Sequence, residues 1–164
     1  MPIDPVLPLN DTQAVLDAIR RIVRALRLAD KAAERTAGVS GAQLFVLRRL
    51  SDGAVLSVNE LAERTLTHPS SASVVIAKLA AQGFVTRRSS VRDARRMEVA
   101  ITPKGRALVD GSAPIIQDRM IDALAGMEAA ERHQLACSLG RFIHDAGLAS
   151  EAAGLFFEDD VPPT

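Results

Sequence analysis

Residues 57–102 constrain this chain more than any other stretch. They read SVNELAERTLTHPSSASVVIAKLAAQGFVTRRSSVRDARRMEVAIT. Ser57 followed by Glu60 is a capping box: the serine oxygen takes a backbone N–H while the glutamate reaches back to the cap. A short helix is therefore expected through about Thr65, with Leu61 and Ala62 turned inward. Pro69 suits the first position of a second helix, where its missing N–H is not needed and its fixed φ fits the turn. Thr67 or His68 would cap it. Val75, Ile76 and Leu79 form the buried stripe of that helix, and Ser70, Ser71, Ser73 and Val74 lie partly away from it. Gly83 is placed to end it in a left-handed conformation. Phe84–Ser89 then reads as a strand. Met97, Val99 and Ile101 alternate with Glu98 and Ala100, which predicts a second, half-buried strand. The loop between them, Ser90–Arg96, carries Arg92, Arg95, Arg96 and Asp93.

Two helices joined by a tight turn, followed by a hairpin with a basic tip, make a helix-turn-helix with a wing. Such a second helix enters the major groove of a duplex by its N-terminal end, where the helix dipole favours a nearby phosphate. Small hydroxyl side chains let the backbone approach base edges, and serine donates to or accepts from several bases. Arginines at a wing tip reach an adjacent narrow minor groove, whose concentrated negative potential favours them. His68 could touch a phosphate or serve only as the cap, and Arg87 and Arg88 could contact phosphates or form a solvated strand face.

The net charge is zero, but its distribution is uneven. Between Lys78 and Arg106 the basic residues Lys78, Arg87, Arg88, Arg92, Arg95, Arg96, Lys104 and Arg106 face only Asp93 and Glu98, while the tail holds Glu151, Glu158, Asp159 and Asp160. A local basic surface attracts phosphates even on a neutral molecule. Five Phe and no Trp or Tyr argue against a stacking platform for single strands. A chain of 164 residues suits one compact unit. No charged-then-apolar leader and no apolar run of membrane-spanning length is seen, and the lone Cys137 fits a reducing compartment. A cytoplasmic protein without a membrane partner is expected. Cys137 sits in an apolar context that predicts a buried, inert thiol.

The flanks are helical. Residues 1–38 comprise a proline-rich arm and then a helix from Asp11 to about Ala37, with Leu16, Ile19, Val23 and Leu26 on one face. Ser40 and Gln43 form another capping box, ahead of Leu44, Leu47 and Leu50, and Ser51-Asp52-Gly53 is turn chemistry. The DNA-binding lobe spans 39–102. Residues 103–148 begin with the cap-and-proline pair Thr102-Pro103, and Pro114 should kink or split the helix that follows. A last helix, from about Glu128 to Ala146, carries Leu135, Leu139 and Phe142 on its apolar line. The first and the final helices are expected to pair two copies of the chain. Residues 149–164 form an acidic tail, expected to be disordered or to dock its Phe pair on a partner subunit. The fold class is thus mainly α, a winged helix-turn-helix with a two-stranded wing flanked by dimerisation helices.

Across roughly residues 11–147 the chain resembles the MarR family of winged helix-turn-helix regulators. His68-Pro69-Ser70-Ser71-Ala72-Ser73, ending at Lys78-Leu79, is similar to the family's recognition helix. Gln82-Gly83-Phe84-Val85 is similar to its exit into the wing. Asp93-Ala94-Arg95, then Thr102-Pro103-Lys104-Gly105, resembles the wing signature and the start of the dimer helix. The resemblance implies a homodimer on a short pseudo-palindromic operator in double-stranded DNA, usually repressing nearby genes. It also implies a small, often aromatic effector in the crevice between the dimerisation and DNA-binding parts; other members sense oxidants through a cysteine. Ala94 stands where many relatives carry Arg, which shifts minor-groove insertion onto Arg92, Arg95 or Arg96. Val74 replaces a common polar residue and suggests contact with a thymine methyl. Asp93 is placed to pair with Arg95 and orient the wing.

Other readings are weaker. A winged helix can present its basic face to a protein instead of DNA. No Gly-rich phosphate loop, nucleophile elbow or metal-ligand spacing suggests an enzyme or a cofactor, and His68, His133 and His144 are too scattered for a metal site.

Overall fold

The computed structural model describes residues 9–90, 96–151 and 153–156. Helix α1 (Leu9–Ala37) is followed by α2 (Gly41–Arg49), the short strand β1 (Leu56–Ser57), α3 (Val58–Arg64) and α4 (Pro69–Ala81). The hairpin β2 (Val85–Ser89) and β3 (Met97–Ile101) comes next, then α5 (Pro103–Asp110), α6 (Ile116–Ala125) and α7 (Ala129–Asp145).

Local chemistry accounts for most of these boundaries. Both expected capping boxes form: Gln43 N–H donates to Ser40 Oγ at 3.2 Å and Ser40 N–H to Gln43 Oε1 at 2.9 Å. At α3, Ser57 N–H donates to Glu60 Oε2 at 2.7 Å and Glu60 N–H to Ser57 Oγ at 3.3 Å. Each serine satisfies a backbone donor that the first turn would otherwise leave orphaned. Gly83 leaves α4 at φ +75°, and Gly147 leaves α7 at φ +73°. Pro114 does split the helix it was expected to disturb, falling between α5 and α6.

The sheet departs from the two-stranded expectation. Its order is β1-β3-β2, antiparallel throughout, with Leu56 opposite Val99 and Val85 opposite Ile101. The extended piece before α3 is a third strand, and Ser57 both pairs with Glu98 and caps α3. The root of the hairpin is therefore bonded on both sides of β3.

The core lies between α2, α3, α4 and this sheet, where Leu47, Leu50, Leu61, Ile76, Leu79 and Val99 are fully buried. Burying each such side chain contributes about 1.5–3 kcal/mol before conformational entropy is subtracted. Thr102 closes the lobe. Its N–H donates to Phe84 O at 3.0 Å, its hydroxyl donates to Gly83 O at 2.8 Å, and the same oxygen accepts Gly105 N–H at 3.1 Å. The end of α4, the hairpin and the start of α5 thus meet at one side chain.

The flanking helices behave differently. On α1, Leu26 and Ala33 are buried, but Leu16 and Val23 from the same expected stripe are exposed. On α7 no residue is buried, and Leu135, Leu139 and Phe142 face solvent. Cys137 on that helix is exposed in the single chain, with Sγ 3.5 Å from His133 Nε2, so the expected burial is not found. The apolar side of α7 is where the pattern places it, but among the described residues nothing covers it. Among the described residues no helix is long and apolar enough to cross a membrane.

Candidate nucleic-acid interface

Helix α4 is sealed on one side and open on the other. Ala72, Val75, Ile76 and Leu79 are buried, at helical spacing, against the core. The opposite side presents Ser70, Val74 and Ala77, all exposed, and Ser71, Ser73 and Lys78 are half-buried beside them. Spacings of four and three place Ser70, Val74 and Ala77 on one line. Ala77 was not singled out from the sequence, although its position one step on from Val74 was the available signal. The exposed line is small and weakly polar, so the helix backbone can come close to whatever faces it.

The first turn of α4 has the electrostatics expected of an anion-facing end. Pro69 occupies its first positions, and no acidic residue lies in that turn. His68 holds the cap position with extended backbone (φ −84°, ψ 147°), but its side chain makes no capping bond. The cap expected of Thr67 or His68 is thus positional only, and among the described residues no side chain accepts the N–H groups of the first turn. Such a terminus carries a partial positive charge. His68, Pro69 and Ser70 are all exposed.

The turn between α3 and α4 is tightly held. Thr65 donates its hydroxyl to Leu61 O at 2.8 Å, and Thr67 N–H reaches Ala62 O at 3.0 Å. Between them Leu66 adopts φ +53° and is 74% exposed. A left-handed leucine costs about 1–2 kcal/mol. No glycine or asparagine marks this position, so nothing local in the sequence points to it.

The three described wing arginines stand in three different situations. Arg87 is exposed on β2 and has no acidic partner among the described residues. Arg88, opposite Glu98 in the register, has Nε 3.7 Å from Glu98 Oε2. Arg96 turns toward the head of α3, with Nη2 3.4 Å from Ser57 Oγ and 3.5 Å from Glu60 Oε1. The Ser57 hydroxyl and N–H, assisted by the Arg96 and Arg64 charges, hold the Glu60 carboxyl below its ordinary range. Arg96 is therefore partly engaged within the lobe, a contact the sequence reading missed. Arg92, Asp93 and Arg95 lie outside the described residues.

Polar contacts join this lobe to the flanking helices. Asp118 on α6 accepts Arg48 Nε at 3.0 Å and Arg49 Nη2 at 2.8 Å, both from α2. Asp30 on α1 accepts Gly41 N–H at 2.6 Å. Beside this joint lies a cavity of about 330 Å³, walled by Phe45 of α2, Leu66 and Thr67 of the turn, Met120 and Ile121 of α6, and the tail at Phe156. No charged side chain lines it among the described residues.

A buried three-helix unit whose last helix feeds a three-stranded wing is a winged helix-turn-helix, the architecture of a DNA-binding regulator. Comparison with known proteins narrows this class. The sequence profile of the MarR family matches residues 37–96. An HTH-type transcriptional regulator of Mycobacterium bovis is 31% identical over 115 residues, which cover 70% of this chain and 78% of that protein. An HTH-type transcriptional repressor of Mycobacterium tuberculosis is 29% identical over 114 residues, covering 70% and 82% respectively. A solved structure of BpsR from Bordetella bronchiseptica superposes with a TM-score of 0.55 at 22% identity, over 87% of this chain and 97% of that one. The chain belongs to the MarR family of winged helix-turn-helix transcriptional regulators, which bind DNA and are not enzymes.

Proposed function

We propose that this regulator is a homodimeric repressor that binds a short pseudo-palindromic operator and is released by a small apolar effector. The observation that carries the DNA-binding part is the open side of α4: an uncapped, acid-free first turn followed by an exposed line of small side chains. His68, Pro69, Ser70, Ser71, Ser73, Val74 and Lys78 are assigned to the major groove or its flanking phosphates. Arg87, Arg88, Arg92, Arg95 and Arg96 are assigned to phosphates and the minor groove, with Asp93 orienting the wing. Residues 39–102 form the reading lobe, and residues 1–38 and 103–148 the dimerisation region. In support of the dimer, α1 and α7 together expose Leu16, Val23, Leu135, Leu139 and Phe142. A soluble protein rarely leaves so much apolar surface on two helices without a partner for it. Repression follows the assignment of the mycobacterial repressor.

The effector site is the cavity at the joint. Its volume lies at the lower end of the range for small-molecule pockets, about 300–1,000 Å³, and its uncharged walls favour a neutral, largely aromatic molecule, since an unpaired charge is costly to bury. DNA binding by BpsR is regulated by 6-hydroxynicotinic acid, so control by a small ring compound has a precedent on this fold.

The combined change Arg95→Ala and Arg96→Ala tests the central claim. DNA affinity should fall sharply while sedimentation still reports a dimer. Retained affinity in an intact dimer would instead favour a protein-interaction module.

A further inference from the structure

After α7 the chain returns to its own core. Leu155 is 9% exposed and packs into the same apolar cluster as Ala42, Phe45 and Ile115. Ala153, Gly154, Leu155 and Phe156 together form one wall of the cavity at the joint. Helix α7 buries nothing, so its packing does not impose this return. The buried Leu155 side chain is one anchor of this return, and Phe156 remains 49% exposed.

We propose that the segment Ala153–Phe156 is a built-in competitor for the effector crevice. This rests on the reading of the cavity as the effector site. The tail walls the same cavity as α2, the turn of the helix-turn-helix and α6, the surfaces an effector there would also engage. Leu155 is buried at the edge of this space, so undocking the tail would enlarge it. Among the described residues the tail buries one leucine side chain and about half of one ring, an apolar area small enough for reversible docking. The covalent tether keeps the local concentration of the segment high. An effector therefore meets a partly occupied site, and its apparent affinity is lowered by the fraction of molecules with the tail undocked.

The test uses the full chain and 2-naphthol, a neutral two-ring probe with one hydroxyl. Leu155→Asp should expel the tail and tighten 2-naphthol binding by about tenfold, measured by titration calorimetry. Phe156→Ser, at a half-exposed position that cannot threaten the core, should shift it in the same direction by less. In the unchanged protein, chymotrypsin should cleave slowly at Phe156, and saturating 2-naphthol should speed that cleavage toward the rate of the Leu155→Asp variant. Equal or weaker binding by both variants overturns the competition while leaving the effector site standing. Slower cleavage with 2-naphthol also overturns it, because the tail would then clamp the probe. If neither the unchanged protein nor the variants bind the probe, the effector reading fails and the competition fails with it.

Discussion

Arg87 offers the sharpest test of how the wing meets DNA. It is exposed on β2 and has no acidic partner among the described residues, whereas its neighbour Arg88 lies 3.7 Å from Glu98. A phosphate must compete with Glu98 for Arg88 but not for Arg87. On the proposed two-fold complex, Arg87→Ala would remove one phosphate contact per subunit. Each lost contact makes the slope of log affinity against log salt shallower by about 0.9, so the pair accounts for about 1.8. The advantage of the unchanged protein over the variant should then shrink about tenfold between roughly 50 and 200 mM salt. Arg88→Ala should change the slope less, and Glu98→Gln should raise affinity by freeing Arg88 and removing a charge that repels phosphate. The assay is fluorescence anisotropy on a duplex selected from a random pool, repeated on an unrelated duplex of equal length. Loss on both duplexes is expected, because phosphate contacts carry no direct sequence information. An Arg87→Ala slope equal to that of the unchanged protein, with the dimer intact, refutes a phosphate role. So would an effect confined to the selected duplex.

Three further outcomes probe the scaffold. Asp118→Ala leaves Arg48 and Arg49, each about a quarter exposed, without their shared carboxylate. It should cost about 2 kcal/mol, or roughly 4–8 °C in melting temperature, and a double-mutant cycle with Arg49→Ala should show coupling. Gly105→Ala would drive a methyl group into the Phe84 carbonyl and to 2.9 Å from Ile101 Cγ1. A loss of about 1–3 kcal/mol is expected in urea unfolding, whereas Gly111→Ala, with its nearest neighbour at 3.5 Å, should lose far less. Glu60 and Asp52 both titrate below their ordinary values, Glu60 because of Ser57 and Asp52 because of the Ala54 N–H and Arg64. A depressed carboxyl contributes stability above its unfolded value, 4.5 for Glu60, and loses it as pH falls through the lower folded value. Unfolding free energy should therefore decline in that acid window, and Glu60→Gln should flatten the decline.

The reading lobe could be read from the sequence because its determinants are local. Ser40 with Gln43, Ser57 with Glu60, Pro69 and Gly83 act within a few residues of where they stand. What stayed hidden depends on distant partners or on backbone strain. β1 exists because Leu56 pairs with Val99, and a two-residue strand has no periodicity to detect. Arg96 meets Ser57 and Glu60 across the sheet, so a wing arginine also supports the head of α3. Cys137 shows the limit of amphipathic patterns. They identify the apolar side of α7, but not whether that side meets its own core or another chain.

The left-handed Leu66 stands between α3, the cavity and α4. A non-glycine residue stays in that conformation only when its surroundings over-determine it. Here the Thr65 hydroxyl and the Thr67 N–H fix both neighbours to α3. Thr67 Oγ1 is nevertheless buried without a hydrogen-bond partner, so the turn retains an uncompensated cost. The same turn walls the cavity and precedes the His68 cap of α4. Across the cavity stands α6, held to α2 by Asp118. On the proposed effector reading, a molecule that wedged the turn away from α6 would act where the backbone is already strained, and the N-terminal end of α4 would be the next element to move. Release from DNA would then require a second arrangement of the strained turn close in energy, and the unpartnered Thr67 Oγ1 is a reason to expect one.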